Sequence, residues 1–301
     1  GSLCSTAFAT VTPGWECVPS TAGQAVTSGG TGASPSCGSG STPVLAPTYV
    51  SSGAGGYATA QFSGVNLQVV NGSGSETAPN GEGNLVIGYD SSPGTQTGSH
   101  NLLLGSNQSD TSYGGIDAGS LNTISGPGAS VLGGQSNTAS GGTVTGGTNN
   151  KATGSLSSVS GGSGNTASQA YASVSGGESN NASGELSSIS GGELNTASNY
   201  GSSASGGYSN LASGEFSAVS GGESNNATGP YSSATGGQDN TASGGQSSVT
   251  GGYGSTVKGS WSSILGGLQN TENGEFSSIL AGGNLNLNAT CPPIPPTTVC
   301  S

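Results

Sequence analysis

Positive charge is almost absent from this sequence. It contains no arginine and only two lysines, Lys151 and Lys258, against 14 acidic residues, which gives a formal net charge of −12 at pH 7. Proteins that bind DNA or RNA neutralise phosphates with Lys and Arg, and basic segments also attract proteins to anionic lipids. We therefore expect no nucleic-acid partner and no electrostatic attachment to a membrane surface.

Long apolar runs and metal-binding side chains are also scarce. Only 30% of the residues are hydrophobic, and no stretch approaches the roughly 20 apolar residues that a transmembrane helix needs. The single histidine, His100, cannot complete a zinc site with the cysteines, whose spacing does not fit one. We expect no direct membrane insertion, no bound metal and no cofactor.

Candidates for catalysis are few. Enzymes of the β-helix kind that cleave polysaccharides need paired carboxylates or basic residues in one groove. Asp90, Asp110 and Asp117 lie in the irregular coils of the sequence and are candidates for such a cluster. We therefore do not expect an enzyme.

A strict repeat dominates what is present. Gly-Gly pairs recur every fifteen residues, and a fixed period of this kind is the signature of a repeat architecture. The pairs begin at Gly161, Gly176, Gly191, Gly206, Gly221, Gly236, Gly251 and Gly266.

Three further columns accompany the glycines. An apolar residue flanked by Ser or Thr precedes each pair by two residues, which predicts a short strand with one inward side chain. A small apolar residue follows the first Gly by six residues, and an Asn column lies between. These columns are Val159, Val174, Ile189, Ala204, Val219, Ala234, Val249 and Ile264; Ala167, Ala182, Ala197, Ala212, Ala227, Ala242 and Val257; and Asn165, Asn180, Asn195, Asn210, Asn225, Asn240 and Asn270.

This pattern predicts an all-β fold, a parallel β-solenoid of about fifteen-residue coils. So much Gly excludes helix, and stacked coils place equivalent residues in ladders. Gly-Gly and Asn suit the corners because both tolerate positive φ, and stacked Asn side chains can also bond along the ladder. Weaker coils extend towards the N-terminus, where Ile87, Leu104 and Ala118 align with the first Gly of the later pairs.

At these residues the sequence resembles the YadA-like head of trimeric autotransporter adhesins, which consists of short hemagglutinin-type repeats. Segment 84–88 matches the family's repeat strand, and segment 173–184 aligns with the whole repeat without gaps. The resemblance implies a left-handed parallel β-roll assembled as a homotrimer, with a host protein or glycan as ligand. Tail-fibre proteins carry similar repeats. The period here is longer, and neither a coiled-coil stalk nor a membrane anchor is recognisable.

A column of large side chains lies three residues before the inward Val/Ile position. In a regular strand this odd spacing puts the column on the opposite face. The column is either packed between protomers or exposed as a strip for glycan or protein ligands. One Val and one Ala per coil bury little, which favours the first alternative. Its members are Leu156, Tyr171, Leu186, Phe216, Tyr231, Trp261 and Phe276, with Gly201 and Gln246 as interruptions.

The sequence also predicts how the segments outside the repeats are organised. We expect a Cys- and Pro-containing N-terminal cap or assembly segment at 1–50, lead-in strands at 51–83, the β-roll at 84–285 and a Pro-rich C-terminal cap at 286–301. The five cysteines indicate an oxidising compartment. We expect disulfides Cys4–Cys17 and Cys291–Cys300, with Cys37 left over for an intermolecular bond.

The expected function is an extracellular structural or adhesive fibre module, at a cell surface or on a fibre or virion appendage. Three further interpretations concern a filament, a calcium site and an ice-binding surface. Solenoid ends can stack head to tail into a filament. The Glu178, Glu193 and Glu223 column is either a solvated face or a Ca²⁺ site. An ice-binding surface is disfavoured because no Thr-x-Thr ladder is present.

Overall fold

The computed structural model of this chain describes residues 14–19, 28–30, 41–46, 48–62 and 66–288. It divides into two compact units, of which the first ends at Gln68 and the second begins at Val69. This boundary lies inside the segment 51–83 that the sequence predicts to be lead-in strands. No α-helix occurs in the ranges just given.

The first unit contains short antiparallel strands. Its strands are β1 (Gly14–Pro19), β2 (Ser28–Gly30), β3 (Ser41–Ala46), β4 (Thr48–Val50) and β5 (Thr59–Gln61), with a turn of 3-10 helix at Ala54–Gly56. One sheet has the order β2-β1-β3, and β4 pairs with β5 separately. Residues 66–70 form no strand, although the sequence there alternates in part.

The second unit is a parallel β-solenoid, as the fifteen-residue period predicts. Each regular coil contributes one two-residue strand to each of two parallel sheets, and every strand pairs with the equivalent strand of the coils before and after it. Residues fifteen apart are direct partners, as in the series Val159, Val174 and Ile189.

The valine sheet, named after its inward column, has 14 strands. They are β6 (Leu85–Ile87), β7 (Leu102–Ser106), β9 (Ile116–Ser120), β11 (Ser130–Val131), β13 (Thr143–Val144), β15 (Ser158–Val159), β17 (Ser173–Val174), β19 (Ser188–Ile189), β21 (Ser203–Ala204), β23 (Ala218–Val219), β25 (Ser233–Ala234), β27 (Ser248–Val249), β29 (Ser263–Ile264) and β31 (Ser278–Ile279).

The alanine sheet has 13 strands. They are β8 (Ser109–Asp110), β10 (Thr123–Ile124), β12 (Thr138–Ala139), β14 (Lys151–Ala152), β16 (Thr166–Ala167), β18 (Asn181–Ala182), β20 (Thr196–Ala197), β22 (Leu211–Ala212), β24 (Asn226–Ala227), β26 (Thr241–Ala242), β28 (Thr256–Val257), β30 (Thr271–Glu272) and β32 (Asn286–Leu287).

Four side chains of each regular coil point into the narrow interior between the sheets. In one coil these are Ser187, Ile189, Asn195 and Ala197, none of which is more than 1% exposed. Each strand needs only one inward side chain, so two residues are enough to form it. The interior is therefore half apolar and half polar, and its polar half must be hydrogen-bonded to be tolerated.

An asparagine ladder satisfies that requirement. The backbone N–H of Asn195 donates to Oδ1 of Asn180 at 3.0 Å, and Nδ2 of Asn195 donates to the carbonyls of Gly191 (3.1 Å) and Gly207 (2.9 Å). The same three bonds recur in the Asn column, with one break at Ser255. The ladder therefore binds each coil to both neighbours through buried side chains.

The corner beside the ladder depends on the second glycine of each pair. Gly192 has φ +84°, and a Cβ on it would lie 2.3 Å from the carbonyl oxygen of Gly207. A Cβ on Gly191 would meet nothing within 4 Å, and Ala281 occupies the equivalent position in the last coil. Only the second position therefore requires glycine.

Candidate functional site

The large side chains of the predicted column lie at a corner of the solenoid. We call the column, with Gly201 and Gln246, the corner column; it lies between each strand of the alanine sheet and the next strand of the valine sheet. The odd spacing in the sequence predicts these residues on the outer face of a strand. They do point outward, but they are corner residues rather than strand residues, because one buried small residue separates each of them from the strand: a serine such as Ser157, or Ala172 after Tyr171.

The backbone of the corner column is in the left-handed region. The φ angle is +52° at Phe216, +54° at Trp261 and +58° at Leu186, and Gly201 has φ +61°. An L-residue with a Cβ pays roughly 1–2 kcal/mol for this conformation. Coil-to-coil hydrogen bonds hold it in place, as in the backbone N–H of Phe216 that donates to the carbonyl of Tyr200 at 2.9 Å.

The side chains are substantially exposed in the single chain. Leu156 is 68% exposed, Tyr231 and Trp261 are 56% exposed, and Phe216 is 44% exposed. Burial within the protomer therefore does not account for large apolar groups at these positions. The column forms an apolar stripe along the solenoid with two interruptions, at Gly201 and Gln246.

Neighbouring rings of the corner column stack on each other. The ring centroids of Trp261 and Phe276 are 5.0 Å apart at an interplanar angle of 2°, and those of Phe216 and Tyr231 are 5.4 Å apart at 21°. Stacked rings cover each other's faces. A sugar ring packs against an exposed aromatic face. The stacking therefore favours a packed interface over a glycan strip.

The gap at Gly201 is filled from the adjacent coil. The ring of Phe216 lies over Gly201, where an added Cβ would be 2.6 Å from a ring carbon. Tyr200, one residue earlier, meets the Phe216 ring edge-to-face with centroids 5.2 Å apart. The apolar stripe is therefore continued by Tyr200 in the coil whose own corner residue is glycine.

A second outward ladder contains the acidic column. Glu178 pairs with Glu193 across adjacent coils, as the sequence predicts, and both side chains are exposed. Glu223 follows after Tyr208 in the same ladder. Within the described residues, no group of three or more His, Cys, Asp and Glu side chains could hold a metal ion.

Two of the three candidate catalytic aspartates lie inside the solenoid. Asp117 in β9 occupies the inward position of the valine sheet, paired with Leu103 and Val131, and Asp110 in β8 occupies that of the alanine sheet. Both are 0% exposed. A polymer substrate therefore cannot reach them from the outer surface. Asp90 is partly exposed, and its carboxylate accepts hydrogen bonds from the Gln96 side chain and the backbone of Asn107.

Burial dominates the electrostatics of these two aspartates, which we call the acid pair. Desolvation raises the pKa of Asp110, partly offset by a hydrogen bond from Nδ2 of Asn101 at 2.9 Å. Desolvation, together with the negative charge of Asp110, raises the pKa of Asp117 to about 7. Both groups therefore hold protons at pH values where exposed aspartates are ionised.

The inward position of Asp117 was not predicted because β7 and β9 are out of register by one residue, whereas Asp110 lies six residues after Leu104, where the repeat has its small apolar column. Counting back two residues from Ala118 reaches Ile116, which the repeat would place inside. The ladder Leu103, Asp117 and Val131 shows that Asp117 is inward instead, and Ile116 is half-buried. The three consecutive leucines of β7 hide this shift, since any of them fits an inward position.

A cavity of about 420 Å³ lies at the start of the second unit and is bordered by Val70, Asn71 and His100. Nε2 of His100 accepts a hydrogen bond from the backbone N–H of Asn71 at 3.2 Å. The remaining border is mostly glycine, serine and one glutamate, so the cavity offers no constellation of catalytic groups.

The predicted disulfides fall outside the part of the chain whose side chains the structure describes. Cys4, Cys37, Cys291 and Cys300 lie outside the described residues, and Cys17 lies in β1, whose side chains are not described. Among the described residues, no helix is both long and apolar enough to cross a bilayer. The chain matches no protein-family model and no curated protein.

Proposed function

We propose that this protein is an extracellular structural or adhesive fibre module whose protomers associate as a homotrimer through the corner column. The observation that carries the proposal is the combination of exposure and backbone strain at that column. Large apolar side chains occupy a left-handed conformation that glycine or asparagine would adopt more easily. Strained positions that persist along a surface motivate a hypothesis of function.

The geometry of the column fits a symmetric contact. Its positions repeat with every coil, so the stripe from Leu156 to Phe276 runs for about 40 Å along the solenoid at about 4.8 Å per step. Exposed apolar stripes of this extent favour association with another protein surface. Closed cyclic symmetry would bury the same stripe on every subunit.

The sheet faces support the fibre role in another way. Outward positions of both sheets are mostly Ser, Thr and Asn, as in Ser173, Thr166 and Asn181. The charged residues there are few, so the faces are polar but nearly neutral. A repetitive neutral surface on a stiff rod suits a spacer or an adhesive head that presents the same groups many times.

The test replaces Phe216, Tyr231, Trp261 and Phe276 together by Asn. Asparagine tolerates positive φ, so the protomer keeps its fold while the apolar stripe is removed. We expect a trimer of the unmodified protein in sedimentation velocity and a folded monomer of the variant, with β-type circular dichroism in both.

The matched control replaces Tyr208 and Tyr253 by Asn. These rings are 44% and 43% exposed, but they belong to the ladder that contains Glu178, not to the corner column. The control is expected to stay trimeric. A monomeric unmodified protein, or a quadruple variant that remains trimeric, would show that the corner column is not the protomer interface.

A head-to-tail filament is the second candidate, and one observation favours it. Within the described residues β31 and β32 pair on one side only, and Leu280 beside them is 74% exposed. Strand edges of this kind are templates for pairing with another chain. Electron microscopy of native material distinguishes the two: particles of uniform length support the trimer, and open fibres of variable length support the filament.

A further inference from the structure

The acid pair occupies inward positions that hold apolar side chains in the other coils, with the exception of Glu272 in β30, whose Oε1 accepts hydrogen bonds from the backbone N–H of Gly274 and from the Ser277 hydroxyl. Asp117 continues the column of Leu103, Val131 and Val144, and Asp110 continues that of Ile124 and the alanines. Charged residues are almost never fully buried unless they are paired with an opposite charge. Among the residues that the structure describes, the acid pair has no such partner.

The surroundings of the pair leave three oxygen atoms without a donor. Oδ1 of Asp110 and both side-chain oxygens of Asp117 are buried and have no hydrogen-bond partner. Only Oδ2 of Asp110 has a hydrogen bond of good geometry, from Nδ2 of Asn101. The backbone groups of Gly98 and Ser109 partly offset the rise in the pKa of Asp110 and Asp117, respectively, and burial outweighs them. An ionised carboxylate without donors or solvent is very costly in a protein interior, whereas a protonated carboxyl group is much less so.

No neighbouring group supplies a compensating charge. The strands packed against the pair are β7, β10 and β11, and none of them carries an ionisable side chain. Within the part of the chain that the structure describes, Asp90 is the other charged group that influences the pair, and its negative charge opposes ionisation. The other titratable residues of this stretch are His100, whose Nε2 accepts from Asn71, and Tyr113.

We propose that the acid pair is a proton-operated lock on the first coils of the solenoid. When both carboxyl groups are protonated, the coils formed by β7 to β11 stay folded (closed). When the carboxyl groups are ionised, these coils unfold locally (open). The regular coils from β15 to β29 have only Val, Ile, Ala, Ser and Asn inside and do not respond. The coils formed by β7 to β11 would therefore open more readily as the pH rises from acidic to neutral.

The direction of the effect follows from linkage. The pKa of Asp117 is higher in the folded coil, about 7, than the ordinary value of 3.8 expected in the open coil. Below pH 3.8 both states hold the proton, and the lock is at full strength. As the pH rises from 3.8 to about 7, only the open state loses its proton, so opening becomes more favourable. The difference corresponds to about a thousandfold change in the opening equilibrium.

Native-state hydrogen exchange with peptide resolution tests the proposal on the full chain. Protection factors, corrected for the intrinsic pH dependence of exchange, are compared between acidic and neutral buffer for residues 101–131 and for residues 173–234. We expect protection of the first segment to fall by up to about a thousandfold, while that of the second stays constant.

Asp117→Asn with Asp110→Asn removes both ionisable groups while keeping their size, and it is expected to abolish the pH dependence. Asp117→Val is a second variant, because valine is the common residue of that column and folds without needing a donor. Asp239→Asn, at an exposed position, is the control and should behave like the unmodified protein.

Two outcomes would overturn the lock. The first is protection of residues 101–131 that does not change with pH, or that changes equally in the Asp→Asn variant. The second is saturable Ca²⁺ binding, measured by calorimetry on the unmodified chain and lost in Asp117→Asn, with protection restored at neutral pH. That result would make the pair a cation site instead.

Discussion

A single serine interrupts the asparagine ladder, and it shows what each Asn contributes. Ser255 still accepts from the backbone N–H of Asn270, at 3.3 Å, and its own N–H donates to Oδ1 of Asn240 at 3.0 Å. It has no side-chain amide to donate to the carbonyls of Gly251 and Gly267, which are equivalent to the glycine carbonyls that Asn240 and Asn270 bond in their own coils. Ser255 therefore marks a coil joined by fewer hydrogen bonds than its neighbours.

We expect Ser255→Asn to stabilise the protein. The new Nδ2 would donate to the carbonyls of Gly251 and Gly267, and two neutral hydrogen bonds contribute about 1–2 kcal/mol to the free energy of unfolding. Urea denaturation followed by circular dichroism measures the change. Asn240→Ser is the reciprocal control and should destabilise by a similar amount; equal midpoints for both variants would contradict the role of the ladder.

The inward Asn column also shows how much of the structure of a single residue position can be predicted from the sequence. Its fifteen-residue repetition and its bonding along the ladder were predictable, but its position was not. Asn was expected to adopt the positive φ of a corner, whereas the residue before it does so, as at Leu194 with φ +59°. Composition cannot distinguish an Asn that turns the chain from an Asn that caps neighbouring carbonyls from inside, because both uses exploit the same short amide.

At the scale of the structural element, the glycine pair permits a sharp comparison. We expect Gly191→Ala to be neutral or to stabilise by up to about 1 kcal/mol, since the site is open and the unfolded chain loses freedom. Gly192→Ala should destabilise by at least about 2 kcal/mol, because φ is positive there and the Gly207 carbonyl is in the way. Thermal unfolding of the two variants measures the difference, and equal melting temperatures would contradict the assigned corner.

The elements themselves were predicted well where the repeat is strict and less well where it is not. Residue partners fifteen apart, the two inward apolar columns and the parallel pairing all follow from the Gly-Gly period. Corner residues such as Phe216 were expected on a strand face, because alternation alone does not report where a two-residue strand ends. The inward position of Asp117 was not predicted because β7 and β9 are shifted by one residue against the later coils.

At the scale of the whole molecule, a solenoid is close to one-dimensional, so its length should be adjustable by whole coils. Excising residues 188–202 joins Ser187 to Ser203 and leaves every ladder in register. We expect a folded protein that is shorter by one strand spacing, about 4.8 Å, in small-angle X-ray scattering.

The contrasting deletion removes residues 188–195 and stacks an alanine-sheet strand on a valine-sheet strand. We expect this variant to lose cooperative unfolding, because the inward columns and the asparagine ladder no longer continue across the junction. A cooperative transition in this variant, at the same temperature as in the first, would show that stacking does not depend on register.

The direction of the hydrogen bonds has a mechanical consequence. Both sheets and the asparagine ladder join one coil to the next, so their bonds lie along the rod. A force that pulls on the two ends would therefore break the hydrogen bonds of one coil at a time, rather than shearing the bonds of many coils at once. Each freed coil would replace a rise of about 4.8 Å by roughly 50 Å of extended chain. A fibre with this shaft would yield stepwise under tension and dissipate work, while the remaining coils stay intact.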